Sequence, residues 1–407
     1  MKLIRVPIWL ILTSLVVLAG LGLGIALAGR AETPVVLAPP LGLPPMYVPP
    51  DNPITQEKVN LGRLLFMDRR LSHNNTLSCA MCHVPEQGFT SHELGAAIGV
   101  EGRSHRRNSP TNFNVGYQRS FFHDGREPHL EDQVWGPLLA RNEMDMPAIG
   151  YVVEKVRQLP EYKGLFEAAF NAPVNAERIG QALASYQRSL VSGNSSFDRW
   201  HYGGEKDALN AQEQRGFQIF KGKGNCIACH SVGEKSALFT DHKFHNTGLG
   251  WERTMFPDRQ TYRVQLAPGV FVDVKAHHLE AFEPPMSDVG RYEITMDTKD
   301  RWAYKTPMLR NIALTSPYMH DGSLRTLEDV VDFYDKGGID NPEKSPLIVR
   351  LDLTSEEKAA LVAFLKTLTG DNVATLTREA RQTPVDLPIQ TMDASDTFMD
   401  SLHNVRP

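Results

Sequence analysis

All four cysteines of the 407-residue chain fall in two short runs, each followed directly by a histidine: Cys79-Ala80-Met81-Cys82-His83 and Cys226-Ile227-Ala228-Cys229-His230. Both read C-x-x-C-H. That spacing sets two thiols against the two vinyl groups of one haem and leaves the adjacent imidazole to ligate the iron. A four-cysteine zinc site would leave both histidines without a role, and a thioredoxin-like pair would need a βαβ pattern that neither run has. With every cysteine consumed, a disulfide scaffold is excluded. The motifs imply two covalent haem c groups, on Cys79 and Cys82 and on Cys226 and Cys229, with His83 and His230 as axial ligands.

The segments that must position these haems repeat. Residues 109–134 (SPTNFNVGYQRSFFHDGREPHLEDQV) align without a gap on 306–331 (TPMLRNIALTSPYMHDGSLRTLEDVV), at an offset of 197. The alignment matches Pro110 to Pro307, Asn114 to Asn311, and His123-Asp124-Gly125 to His320-Asp321-Gly322. It implies a duplicated half with one haem in each copy. Three residues past its end, Pro137 meets Tyr334. Proline cannot ligate iron, whereas a tyrosine phenolate can, so the two haems should differ. From spacing alone Tyr334 reads equally as a core aromatic on a helix. Met286, Met296, Met308 and Met319 are rival ligands that read more readily as core.

EKVNLGRLLF (57–66), ERIGQALASYQRSL (177–190), EQRGFQIF (213–220) and SEEKAALVAFLKTL (355–368) read as helices, and Thr354 with Glu357 as a capping box. Alternating patterns are scarce. The fold class is mainly α: two cytochrome c-like haem domains, 55–205 and 206–370, related by internal duplication. The second carries an insertion (231–303) with the one strand-like run, TYRVQLAPGVFVDV. His242, His245, His277 and His278 in that insertion could suggest a metal, a reading that their scatter over loops does not favour. The polar tail, 371–407, has no clear period.

Hydrophobic residues are 41% and charged residues 22% of the chain, ordinary for a globular protein, and a net charge of -5 gives no basic footprint, so no nucleic-acid partner is expected. Lys2 and Arg5 precede 24 uncharged residues, Val6–Gly29, long enough to span a bilayer with the rest of the chain outside. Residues 1–30 are therefore expected to be a membrane anchor on the periplasmic side, or a signal peptide cleaved at Ala26-Leu27-Ala28. Eight prolines between 34 and 53 mark 31–54 as a stiff strap, read as a spacer between membrane and enzyme.

From about Leu61 to Gly370 the chain resembles the bacterial di-haem cytochrome c peroxidase family, and within it the MauG-type enzymes. The resemblance rests on LSCAMCHVPEQGFT, RRNSPTNFN, FFHDGR, LEDQVWGP, NEM, TPMLRNIALTSPYMHDG and LEDVV. It implies that Glu143, by itself a loop carboxylate, is the distal acid–base for peroxide. It also makes Gln133 and Pro137 distal-pocket residues. Asn108, with the carbonyls of Thr315 and Pro317, matches a calcium site between the haems. Tyr334 falls where the peroxidases have an axial methionine and the MauG-type enzymes a tyrosine.

Two departures matter. His123 stands where the family commonly has an inter-haem tryptophan, and Tyr117, Trp135 or Trp302 are possible substitutes. Val100 stands where reductively activated members have a histidine that caps the peroxidatic haem. His105 is displaced from that position and reads as a loop histidine bonding to solvent, so the first haem is expected to be open.

These features imply an enzyme that uses hydrogen peroxide. Its electrons would come from a small cytochrome c or cupredoxin, or from residues of a protein substrate oxidised in MauG fashion. The rival is a non-enzymatic, membrane-tethered di-haem electron carrier, which needs two capped haems and no peroxide pocket. Oligomeric state is not legible.

Overall fold

The computed structural model describes residues 34–35, 37–256, 261–267, 270–275 and 287–382. Six helices carry the frame: α1 (Gln56–Met67), α2 (Ala176–Ser189), α3 (Ala211–Lys221), α4 (Leu327–Asp335), α5 (Ser355–Lys366) and α6 (Val373–Arg381). Side chains satisfy the orphan amides at most of their starts. Thr55 accepts from the Lys58 amide and Asn175 from that of Arg178. Full capping boxes form at Asn210/Glu213, Thr326/Asp329 and Thr354/Glu357.

The duplication is visible in how the helices cross. α1 lies on α2 at Gly62, where an added Cβ would come within 1.9 Å of the Ala182 carbonyl oxygen. α3 lies on α5 at Gly216, where a Cβ would meet the Ala360 carbonyl oxygen at 2.0 Å. Both crossings let two backbones touch, which a side chain would prevent. Around the first, Leu61, Leu65, Phe66, Ile179, Leu183 and Tyr186 bury their apolar faces; around the second, Phe217, Phe220, Leu361 and Phe364 do so with Phe197 and Phe239. Matched turns also share a backbone. Asn114 and Asn311 sit at φ 59° and 61°, and Gly125 and Gly322 of the two HDG turns at 67° and 65°.

One matched pair differs. α4 is continuous, whereas its counterpart breaks into Leu130–Gln133 and Trp135–Leu139. Pro137 has no amide to donate, and its ring crowds the carbonyl four residues back, that of Gln133.

Three expectations change. The proline-rich strap is not a free spacer. The Gly42 carbonyl accepts from Arg310 and Ala237 near the second core, and the buried Asn52 side chain donates to Glu131 and Gln181 near the first. Prolines fix an extended path, and the strap uses it to bind both halves together. The strand-like run is a hairpin, Thr261–Ala267 against Val270–Lys275, joined elsewhere by the short pair Phe244–His245 and Tyr304–Lys305. The tail begins as α6, whose Val373, Leu376 and Ala380 pack on the first core. Arg381 pairs with Glu86 and Arg63 donates to the Glu379 carbonyl, so the chain ends its described course on its first half.

Among the described residues no helix is long and apolar enough to cross a membrane. The run Val6–Gly29, His277, His278, Met286 and residues 383–407 lie outside the described residues.

Candidate functional site

Cys79 and Cys82 span one short helical turn, and Cys226 with Cys229 span a 3-10 turn, so each pair of thiols is offered on one side. The four are free, and burial pushes Cys79, Cys82 and Cys226 up to about 12 and Cys229 to about 11.

The adjacent histidines are oriented alike. His83 Nδ1 lies 3.1 Å from the Phe89 carbonyl oxygen, and His230 Nδ1 lies 2.8 Å from that of Phe239. A carbonyl only accepts, so Nδ1 carries the proton and Nε2 keeps its lone pair for iron. Phe89 and Phe239 reach this position by adopting φ 55° and 54°. The carbonyls of Pro110 and Pro307, matched in the repeat, act on the same two rings. Burial lowers the pKa of both imidazoles, which keeps them neutral as ligands must be.

Each motif opens on a cavity. The first, about 1500 Å³, is lined by Cys79, Cys82 and His83, and also by Gln133, Pro137 and Glu143. The second, about 260 Å³, is lined by Cys226, Cys229, His230 and Tyr334, with Thr315 and Pro317 on its wall. Thiols, lone-pair imidazole nitrogens and cavities together fit covalent haem at both sites. Glu143 is the acidic group beside the first pair of thiols, and burial lifts its carboxyl to about 7 while the Arg126 guanidinium pulls the other way. Tyr334 lies beside the second pair, and burial drives its phenol well above the ordinary value. Met308 and Met319 line the same cavity, whereas Met296 is 70% exposed and so no rival.

A common wall separates the cavities. Asn108, His123, Lys305, Pro307 and His320 line both. His123 Nε2 donates to the Asn108 carbonyl at 2.9 Å, and burial lowers its pKa to about 3, so the ring is neutral. The Lys305 amide donates to the His123 carbonyl, while its ammonium, pushed down to about 7 by burial, donates to Gln118 and Ser120. Asn108 donates through Nδ2 to the Gly95 carbonyl. The insertion clamps this wall: Asp288 takes Arg107 at 2.6 Å, and Glu293 takes Arg106 at 2.5 Å.

Sequence reasoning missed several of these residues. Tyr304 stacks on His320 with ring centroids 3.6 Å apart and planes at 14°. It lines the second cavity, whereas Tyr117, Trp135 and Trp302 line neither. His320, which the repeat pairs with His123, is this stacked wall residue. Cys229, Asp241 and His245 come within 4.8 Å of one another, but Cys229 belongs to a haem motif, which leaves a hydrogen bond between His245 Nε2 and the Asp241 carboxylate at 2.9 Å. His105 is not a solvent-facing loop residue: it lines the first cavity with Nε2 buried. No periodicity marked it, since it sits in an irregular loop.

Residues 56–207 match the model of the di-haem cytochrome c peroxidase family. The chain is 38% identical to the methylamine utilization protein MauG of Methylorubrum extorquens, over 80% of this chain and 82% of that one. It is 38% identical to the cytochrome-c peroxidase IdrP1 of Denitromonas iodatirespirans, over 81% of this chain and 86% of that one. Among solved structures it is similar to a MauG-like protein associated with microbial copper homeostasis. That likeness has a TM-score of 0.68 and 34% identity, and covers 83% of this chain and 96% of that one.

Proposed function

The chain belongs to the di-haem cytochrome c peroxidase family, and from that premise we propose that it reduces hydrogen peroxide in the cavity of His83, drawing electrons through the cavity of His230 and Tyr334. It is an oxidoreductase acting on peroxide. Bound haem iron supplies the redox centre at which the oxygen–oxygen bond is cleaved. The observation that carries the reading is the asymmetry of the two cavities: a proline, Pro137, faces the first and a phenol, Tyr334, the second.

The chain's own residues have separate tasks. Glu143, with a carboxyl lifted to about 7, is matched to take a proton from the inner oxygen of peroxide and return it to the outer one, which leaves as water. Gln133 offers amide hydrogen-bonding groups in the same cavity. Pro137 has no atom to offer an iron and would leave room for peroxide in that cavity. Tyr334 would hold the second iron as phenolate, which favours higher oxidation states. The shared wall that includes His123, Lys305 and His320 would carry electrons between the cavities. Asn108 and the carbonyls of Thr315 and Pro317 would give part of an all-oxygen calcium sphere.

The electron source is a small cytochrome c or cupredoxin, or residues of a protein substrate; the phenol at 334 leans towards the latter. The apolar N-terminal run suggests work on the periplasmic side of the inner membrane. Stopped-flow mixing with hydrogen peroxide tests the reading against that of a pure electron carrier. A rapid Soret change is expected; its absence would leave only electron transfer.

A further inference from the structure

Among the buried side-chain atoms of the described residues that lack a hydrogen-bond partner, Nε2 of His105 is the one whose residue lines either haem cavity. The loop that carries it is fastened to the turn that carries Glu143. Val100 donates to the Glu143 carbonyl at 2.9 Å, Arg103 to the Arg141 carbonyl at 2.7 Å, and Asn142 Nδ2 to the Ser104 carbonyl at 3.3 Å. Gly99 lies so close that a Cβ there would meet the Asn142 carbonyl oxygen at 2.1 Å. His105 and Glu143 are therefore held by one unit of backbone.

The Asn142 carbonyl also acts on the His105 ring itself. Nε2 has no partner, so the accepting carbonyl favours the tautomer protonated at Nδ1. Burial lowers the pKa to about 4, so the ring is neutral. Nε2 is thus an acceptor with no protein donor, and a buried acceptor of this kind costs free energy unless a guest satisfies it.

We propose that His105 is a second distal group of the first cavity, whose Nε2 accepts the hydrogen bond of the peroxide O–H that Glu143 does not take. Peroxide carries two O–H donors. With the inner proton passed to Glu143 and the outer O–H held by His105, the outer oxygen turns a lone pair towards the returning proton. No proton moves to His105. The inference rests on the reading of the first cavity as the peroxide site.

The test uses the holoprotein and the variants His105→Phe and His105→Gln. His105→Phe removes the acceptor, and the second-order rate of the peroxide-induced Soret change is expected to fall roughly three- to tenfold. Gln, which keeps an accepting oxygen, restores most of it. As a readout independent of turnover, the infrared stretch of carbon monoxide on the reduced first haem should shift in His105→Phe and return towards wild type in His105→Gln. An unmoved band with an unchanged rate overturns the inference and leaves the peroxide site standing. A low-spin ferric first haem that turns high-spin in His105→Phe overturns it as well, by making His105 an iron ligand. Failure of both haems to bind carbon monoxide overturns the open-site reading, and this inference with it.

Discussion

Glu143 supplies a prediction whose size can be worked from its surroundings. Its carboxyl is lifted from an ordinary 4.5 to about 7, first by burial and against the pull of Arg126. A shift of that size corresponds to about 3 kcal/mol between the two protonation states. If the carboxylate is the base for peroxide, the rate of the peroxide-induced Soret change should rise with pH, level off above 7, and fall to about one hundredth of the plateau at pH 5. Glu143→Gln should lower the plateau by about 10² to 10⁴ and flatten the profile. Arg126→Met, which removes the opposing charge, should move the inflection upward. Stability carries the matching sign. The folded value lies above the unfolded one, so the protonated form's contribution is fully present below about 4.5 and is lost as pH rises through 7. Glu143→Gln should therefore unfold less readily than wild type above pH 7, by up to about 3 kcal/mol. Stopped-flow traces from pH 5 to 9 and denaturant titrations at pH 6 and 8 measure both effects. A Glu143→Gln protein within twofold of wild type, its inflection still near 7, would refute the reasoning.

Three structural predictions accompany it. Arg310 and Asp198 form a bidentate ion pair at 2.8 and 2.9 Å with both side chains almost wholly buried, so Arg310→Met should cost about 3–5 kcal/mol by denaturant titration, and adding Asp198→Asn should recover part. Gly62→Ala and Gly216→Ala each drive a Cβ into a facing carbonyl, and each should destabilise by at least about 1–3 kcal/mol in thermal unfolding of the holoprotein. Ala380→Asp puts a carboxylate under α6, and should speed proteolysis at the C-terminal end while leaving the haem spectra unchanged.

What was legible in the chain was local or periodic. The C-x-x-C-H spacing, the Thr354/Glu357 box and the apolar stripes of α1, α2, α3 and α5 depend on neighbours within a turn or two. The gapless repeat added one long-range fact, the opposition of Pro137 and Tyr334, and the structure sets these two residues in different cavities. Harder to read was whatever depends on a distant surface. Eight prolines announce an extended strap but not that Gly42 will meet Arg310, which follows it by 268 residues. Val373, Leu376 and Ala380 look sparse among polar neighbours until the first core is there to receive them. The wall between the cavities joins Asn108, His123 and His320 from loops and Lys305 from a two-residue strand, with no shared period. His105 belongs to the same class: its importance lies in a lone pair without a partner, a property of the fold alone.

The claim on which the account turns is that the two irons are unlike, the first open opposite Pro137 and the second capped by Tyr334. Electron paramagnetic resonance of the fully oxidised holoprotein, before any reduction, tests it most directly. One high-spin and one low-spin ferric signal are expected, with Tyr334→Met changing the low-spin signal alone. Two low-spin signals in the wild type, or a low-spin signal indifferent to Tyr334→Met, would contradict it.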